Sequence, residues 1–303
     1  MNNKLVLTGA TNNPGRILVE YLATNRARVD ALFEGGIVSV FRAFSDASHF
    51  ETTLPSAEKI IADLTDTEGL KAAFKDADTV LHMAGIHWSR EVATAAAACR
   101  VRRLIVVHTC GIYSKYKAAG EEYRQIDAYV EKICRENNIV LTVLRPTMIY
   151  GNVRDRNMIK FIEMVDKLPV MPVVNGARYA LQPVHYEDLG RAFFDVLVNE
   201  EETGGRDFIL SGEQPILLRD VFIEIGKKLG KRVKFADHPF FFAYFGAVVI
   251  WILTFGKMDF REKVQRLCEP RAYPHEAATE AFGFSPRPFE IGISGEVEEY
   301  RRR

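Results

Sequence analysis

The residues best placed for chemistry open the chain. Thr8-Gly9-Ala10-Thr11-Asn12-Asn13-Pro14-Gly15 stands between the apolar run Leu5-Val6-Leu7 and a stretch with helical apolar spacing, Ile17, Leu18, Tyr21 and Leu22. That pattern reads as strand, tight turn, helix. Such a turn aims backbone N–H groups and the positive end of a helix dipole beyond the strand's carboxyl end, which suits a pyrophosphate. A full glycine triplet would place glycine at position 12, where the backbone approaches the phosphates; this chain has Asn12. Asn tolerates left-handed dihedrals best among non-glycine residues, and its amide offers a donor to a phosphate oxygen, although its side chain fills space a dinucleotide would use. Two glycines in such a turn also serve plain tight packing. Metal chemistry has no support: no His/Asp/Glu grouping has ligand spacing, and Cys99, Cys110, Cys134 and Cys268 stand apart without a Cys-x-x-Cys pair.

The elements that must carry this turn alternate. Apolar runs at 4–7, 37–41, 59–61, 79–82, 104–108 and 140–144 are separated by helical patterns at about 15–26, 67–75, 89–100 and 120–137. The alternation predicts an α/β protein with a parallel sheet covered on both faces. Beyond Gly151 the texture changes, with Pro169, Pro172, Pro183, Gly204, Gly205, Gly212 and Pro215 punctuating shorter elements. The expected division is a dinucleotide-binding domain over 1–151, to which 179–200 returns, and a smaller mixed lobe for substrate from 152–178 and 201–303.

Composition bounds the partners. The 303 residues carry 40 basic and 40 acidic side chains, so no global field recruits nucleic acid or an anionic surface, and none is expected. The first strand starts close to Met1 without a charged-then-apolar leader, from which a cytoplasmic location is expected. Residues 240–255 are uncharged; as a helix they are about 24 Å long, short of the ~30 Å hydrocarbon core. They are expected to form a buried helix of the small lobe or an apolar cover over substrate. Peripheral contact with a membrane surface is the second reading, and a transmembrane span is not expected.

Further segments extend the pattern: Ala62-Asp63-Leu64 after the third strand, Leu81-His82-Met83-Ala84-Gly85 ending the fourth, and Val106 to Tyr113 around the end of the fifth. Leu144-Arg145-Pro146-Thr147-Met148-Ile149-Tyr150-Gly151, Gln182-Pro183-Val184-His185-Tyr186-Glu187-Asp188 and Phe284-Ser285-Pro286-Arg287 follow in order. Over almost its whole length the chain resembles the extended and atypical short-chain dehydrogenase/reductase superfamily, with its NAD(P)-dependent epimerase/dehydratase-like and NmrA-like branches. The resemblance implies a Rossmann-type doubly wound parallel sheet. It also implies a cofactor site built from Gly9, Thr11, Asn12, Asn13, Pro14, Gly15, Asp63, Leu64, Ala84, Gly85 and Pro146, with Asp63 at the adenine edge and Ala84 and Gly85 under the ribose.

In that superfamily a Tyr exchanges a proton with the substrate oxygen, a Lys four residues later lowers its pKa, and a Ser or Thr orients that oxygen. A phenol of pKa ~10 needs a nearby cation to act as a base near neutrality. The resemblance places Tyr123 at the Tyr position, Asp127 at the Lys position and Glu131 at an acidic position of the same helix. An Asp there is expected to raise the Tyr123 pKa, leaving a proton donor and favouring reduction over oxidation. Tyr113 and Lys117 have the Tyr-x-x-x-Lys spacing, but Tyr113 matches a structural Tyr of the family; Lys115 or Lys117 could instead bring the missing cation from the loop. Thr109 is the expected orienting hydroxyl.

Arg42 after the second strand favours NADP over NAD, since a basic residue there accepts a 2′-phosphate, with Ser45 as a second contact; the alternative is a surface arginine. Leu181 stands where many relatives place a diphosphate-clamping Arg, which weakens a sugar-nucleotide substrate and leaves Arg154, Arg156 and Arg178 as other anion contacts. His82, His108 and His185 read as structural, His87 as a residue of the cleft rim. The functions implied are an oxidoreductase or epimerase-like enzyme on a small organic substrate, a redox sensor that binds NADP(H) without turnover, or a lipid or sterol converter on a membrane surface. A homodimer is a further expectation.

Overall fold

The computed structural model describes residues 3–116, 118–155 and 157–303. Six strands, β1 (Lys4–Thr8), β2 (Ile37–Phe41), β3 (Glu58–Ile61), β4 (Ala77–His82), β5 (Arg103–Val107) and β6 (Val140–Pro146), join Asp207–Leu210 in a seven-stranded sheet. Its order is Asp207–Leu210, β6, β5, β4, β1, β2, β3, and every pairing is parallel. The chain therefore reverses its direction of sheet growth between β1 and β4, the point in a doubly wound sheet beyond whose carboxyl edge ligands bind. Residues 207–210, which the sequence pattern assigns to the smaller lobe, belong to the sheet instead: Phe208 and Leu210 are fully buried, and the segment pairs with β6 at the sheet's edge.

Side chains alternate across the strands between two cores. Leu5 and Leu7 of β1 and Ile105 and Val107 of β5 pack under Asn13–Thr24, Tyr186–Val198 and Glu276–Phe282. Val6, Leu104 and Val106 pack instead under Thr67–Ala73, Ser89–Ala98 and Gly120–Glu136. Because both faces are covered, the central strands are apolar over most of their length, as the runs predicted, with polar residues such as Thr79, Thr142 and Arg145 buried among them. The helix Tyr186–Val198 returns to the sheet and crosses Asn13–Thr24 at Gly190, where an added Cβ would lie 2.4 Å from the Ile17 Cβ.

The smaller lobe packs Met158–Lys167, Leu218–Leu229 and Phe289–Arg301 around Tyr150, Ile162, Phe222, Ile225 and Ile293. A parallel pair of short strands, Met171–Val174 with Phe235–His238, flanks them. The helix Phe240–Leu253 corrects the expectation of a buried element. Ala247 is its one buried residue, while Phe241, Phe242, Phe245, Ile252 and Leu253 are exposed. Among the described residues no helix is long and apolar enough to cross a membrane.

Candidate active site

The turn after β1 is set by close approaches. Gly9 adopts φ +86°, and a Cβ on it would lie 2.7 Å from the backbone of Met83 and Ala84 at the end of β4. Asn12 does not need left-handed freedom: its φ is −73°, and it is the N-cap of Asn13–Thr24. Its Oδ1 accepts from the Gly15 N–H at 2.7 Å and its Nδ2 donates to the Met83 carbonyl at 2.8 Å. The amide holds β1's turn against β4 through one Nδ2 proton, and the second Nδ2 proton is the one expected to meet a phosphate. The first turn of that helix carries no acidic residue, so its positive end stays uncompensated.

Around this turn runs a cleft lined by Gly9, Thr11, Asn12, Phe41, Arg42, Ser45, Asp63, Leu64, Ala84 and Trp88, among others. It brings together the glycine turn, the end of β2 and the segments after β3 and β4. Arg42 is exposed at its rim, and Asp63 lies near enough for the arginine's field to help lower its pKa, after the larger effect of hydrogen bonds from the Thr65 N–H and hydroxyl at 2.8 Å. Asn13 donates to Asn152 at 3.0 Å, tying the turn to the smaller lobe, while Pro14 and Gly15 are buried in the first helical turn. Gly85 is held through its carbonyl by His82, whose Nδ1 meets the Thr8 hydroxyl at 2.6 Å. A carbonyl only accepts, so His82 carries its proton on Nε2; burial keeps the ring neutral, with a pKa lowered to about 4.

Farther along the carboxyl edge, at the ends of β5 and β6, lies a second cavity. Thr109, Ser114, Pro146, Gln182, Arg266, Arg271 and Tyr273 line it with their neighbours. Pro146 thus sits with Thr109 rather than in the adenosine-side cleft. The Thr109 hydroxyl accepts from the Gly111 N–H at 3.0 Å, which leaves its own proton for a ligand. Tyr123 lines neither cavity. It is 8 % exposed in the core under Gly120–Glu136, its ring edge-on to His87 at 5.4 Å. Tyr113 is half exposed beside Tyr273, with ring centroids 5.4 Å apart. Lys117 and Arg156 lie outside the described residues.

Asp127 has a different task from the Lys it replaces. Its carboxylate accepts from His108 Nδ1 and, at 2.7 Å, from Arg145, whose Nε reaches Asp207 at 2.6 Å. Burial pushes the Asp127 pKa up, but the His108 hydrogen bond and the Arg145 charge outweigh it and hold the group ionised. The Tyr123 phenol is raised, as expected, but by burial first and then by Glu122, with Arg266 acting against them. His108 Nε2 also meets the Ser89 hydroxyl at 3.0 Å. This Ser–His–Asp series is fully enclosed, Ser89 being 0 % exposed, so it offers no nucleophile to a ligand.

Residue spacing did not single out Arg266 and Arg271. Arg271 reaches the cavity because its backbone bridges Leu181, the position where relatives carry an arginine. Among the described residues the Nε atoms of both arginines are buried without a partner, and burial followed by the charge of Arg266 lowers Arg271 to about 10. Glu269 is occupied by the Ser114 hydroxyl at 2.6 Å and the Lys115 N–H at 2.7 Å. The cavity therefore presents two arginine Nε donors, with Glu262 3.7 Å from the Arg266 guanidinium. The only hint in the sequence is the basic run Arg261, Lys263, Arg266 and Arg271 after the apolar segment.

Residues 9–167 match the sequence model of a family described as NAD(P)H-binding. No curated protein matches the chain. Solved structures share the whole fold. A UDP-glucuronic acid 4-epimerase from Bacillus cereus in complex with NAD is 14% identical with TM-score 0.72, the match covering 99% of both chains. An NADPH-dependent quinone oxidoreductase from Escherichia coli is 16% identical with TM-score 0.70, covering 98% of this chain and 99% of that one. A dTDP-glucose 4,6-dehydratase from Streptomyces venezuelae with NAD bound is 14% identical with TM-score 0.71, covering 99% and 97%. With its glycine turn at the sheet's switch point and a matching model over more than half its length, the chain belongs to the family described as NAD(P)H-binding.

Proposed function

We propose that the chain is an NADP(H)-preferring oxidoreductase or epimerase-like enzyme acting on a small anionic organic substrate. The observation that carries this reading is the continuity of two sites along one sheet edge: an uncompensated helix N-terminus with Arg42 at one end, and Thr109 with Arg266 and Arg271 at the other. The first suits a diphosphate and a 2′-phosphate, the second a phosphate or carboxylate beside an oxygen to be oriented. A bound nicotinamide would supply or accept a hydride. The chain's own part is to hold the dinucleotide through residues 9–15, Asp63, Leu64 and Ala84, to orient the substrate oxygen by the Thr109 hydroxyl, and to anchor the substrate's anion by Arg271. Tyr123 lies behind the second cavity's wall, near enough to its Arg266 to feel that charge, and, kept neutral by burial, is the proposed proton donor, with loop help from Lys115 or Lys117, which makes reduction the easier direction.

The test follows NADPH consumption against a panel of phosphate- and carboxylate-bearing aldehydes, ketones and nucleotide sugars. The reading expects turnover with at least one, a kcat lower by about a hundred-fold in Tyr123→Phe, and a KM higher by roughly ten-fold in Arg271→Ala. A second reading, a redox sensor that binds without turnover, is favoured by one observation: Asp127 is locked between His108 and Arg145, so no cation stands four residues after Tyr123. NADPH binding without consumption across the panel would establish it in place of the enzyme.

A further inference from the structure

The helix Phe240–Leu253 presents two unlike sides. At about 100° per residue, Tyr244, Ala247 and Trp251 fall on one side, which faces the lobe: Ala247 is buried and the Arg261 guanidinium sits 4.1 Å over the Trp251 ring. The opposite half-circle carries Phe241, Phe242, Phe245, Ile250, Ile252 and Leu253, with Phe241 71% and Leu253 72% exposed. The apolar surface continues past the helix to Phe255, 93% exposed, and Met258.

We propose that the hairpin made by Phe240–Leu253 and Arg261–Leu267 docks on an anionic bilayer, lying in the headgroup boundary with this half-circle against the acyl chains. Three observations select a lipid surface over a protein partner. First, protein interfaces carry about one hydrogen bond per 100–200 Å² and a polar rim. Here the helix's side-chain hydrogen-bonding groups, on Tyr244 and Trp251, are on the other side. Secondly, fourteen residues make a rod of about 21 Å, too short to span but suited to lie flat. Thirdly, charge borders the apolar face. Asp259 is paired with Arg261 and Glu262 with Arg266, which leaves Lys257 and Lys263 to meet anionic headgroups. The Lys263 ammonium lies 5.0 Å from the Phe260 ring, a cation held above an apolar base as at a membrane interface.

The test is flotation of the full chain with vesicles of equal parts phosphatidylcholine and phosphatidylserine, and with phosphatidylcholine alone. The proposal expects the protein to float with the mixed vesicles, more weakly with the neutral ones, and to be released by salt. The triple variant Phe241→Ser/Phe245→Ser/Leu253→Ser should lose flotation by at least about a hundred-fold, since each buried side chain is worth roughly ten-fold in partitioning. Its NADPH affinity and melting temperature should match the parent's, which separates lost docking from lost folding. Failure of the parent to float with either vesicle, or flotation of the triple variant at the parent's level, overturns the proposal. So does a parent dimer in sedimentation that the triple variant dissolves while neither floats, which would make the face a contact between copies.

Discussion

Asp127 shows how a side chain read from its position can be turned to other work. It stands where a lysine would lower the phenol's pKa, yet its carboxylate neutralises the buried Arg145 and orients His108. Asp127→Lys therefore does not restore a catalytic pair: it sets an ammonium against a guanidinium and strips the imidazole of its partner. The expected result is a loss of about 3–5 kcal/mol in urea unfolding, the usual cost of breaking a buried ion pair, with no gain in NADPH consumption. A variant as stable as the parent and faster in turnover would contradict this. Residue types in the glycine turn were legible because its chemistry is local. Asn12's true partners were not, since the Met83 carbonyl arrives from β4, 71 residues away. Arg271 was hidden for the same reason: its place beside Leu181 is made by a backbone bridge across the lobe.

The elements follow the same division between local and distant causes. β1 to β6 and the four helices read between them lie within a few residues of the sequence reading, because period-two and helical apolar patterns are properties of each segment, whereas the short helices Arg26–Leu32 and Ser48–Thr53 were not read. Asp207–Leu210 is only four residues long and becomes a strand by pairing with β6, which no local pattern announces. The apolar run at 240–255 reads as buried by composition, and its exposure depends on what the neighbouring elements leave uncovered. The helix crossing at Gly190 is the tightest joint behind the cofactor turn, since a Cβ there would meet Ile17 at 2.4 Å and the Pro14 carbonyl at 2.7 Å. Gly190→Ala should cost about 1–3 kcal/mol by overpacking and weaken dinucleotide binding by displacing Pro14. Calorimetric titration and chemical unfolding of the same variant measure both, and unchanged affinity in a destabilised variant would uncouple the joint from the turn.

At the scale of the whole molecule, buried titratable groups oppose one another in pH. Burial lowers His82 and His185 to about 4, helped at His185 by Arg287. Between that value and the unfolded pKa of about 6.5, the unfolded chain binds protons the folded one refuses. Stability present above this window is lost as pH falls through it, on the order of 3 kcal/mol for each group. Glu296 acts in the reverse sense. Burial and then Asp155 push it up to about 10, and its contribution is present below the unfolded carboxyl pKa and lost as pH rises. Its Oε2 accepts from the Gly151 N–H at 2.8 Å while Oε1 has no donor, so a neutral amide suits the site. Glu296→Gln should raise the melting temperature by a few degrees at about pH 8 and leave it unchanged near pH 4; no gain at the higher pH would remove Glu296 as a neutral buried acid. All functional readings rest on the turn at residues 9–15 receiving a diphosphate, and calorimetric titration with NADPH and NADH tests it most directly. The account predicts micromolar NADPH, weaker NADH, and a preference that Arg42→Ala abolishes; no heat from either dinucleotide at millimolar concentration would contradict it.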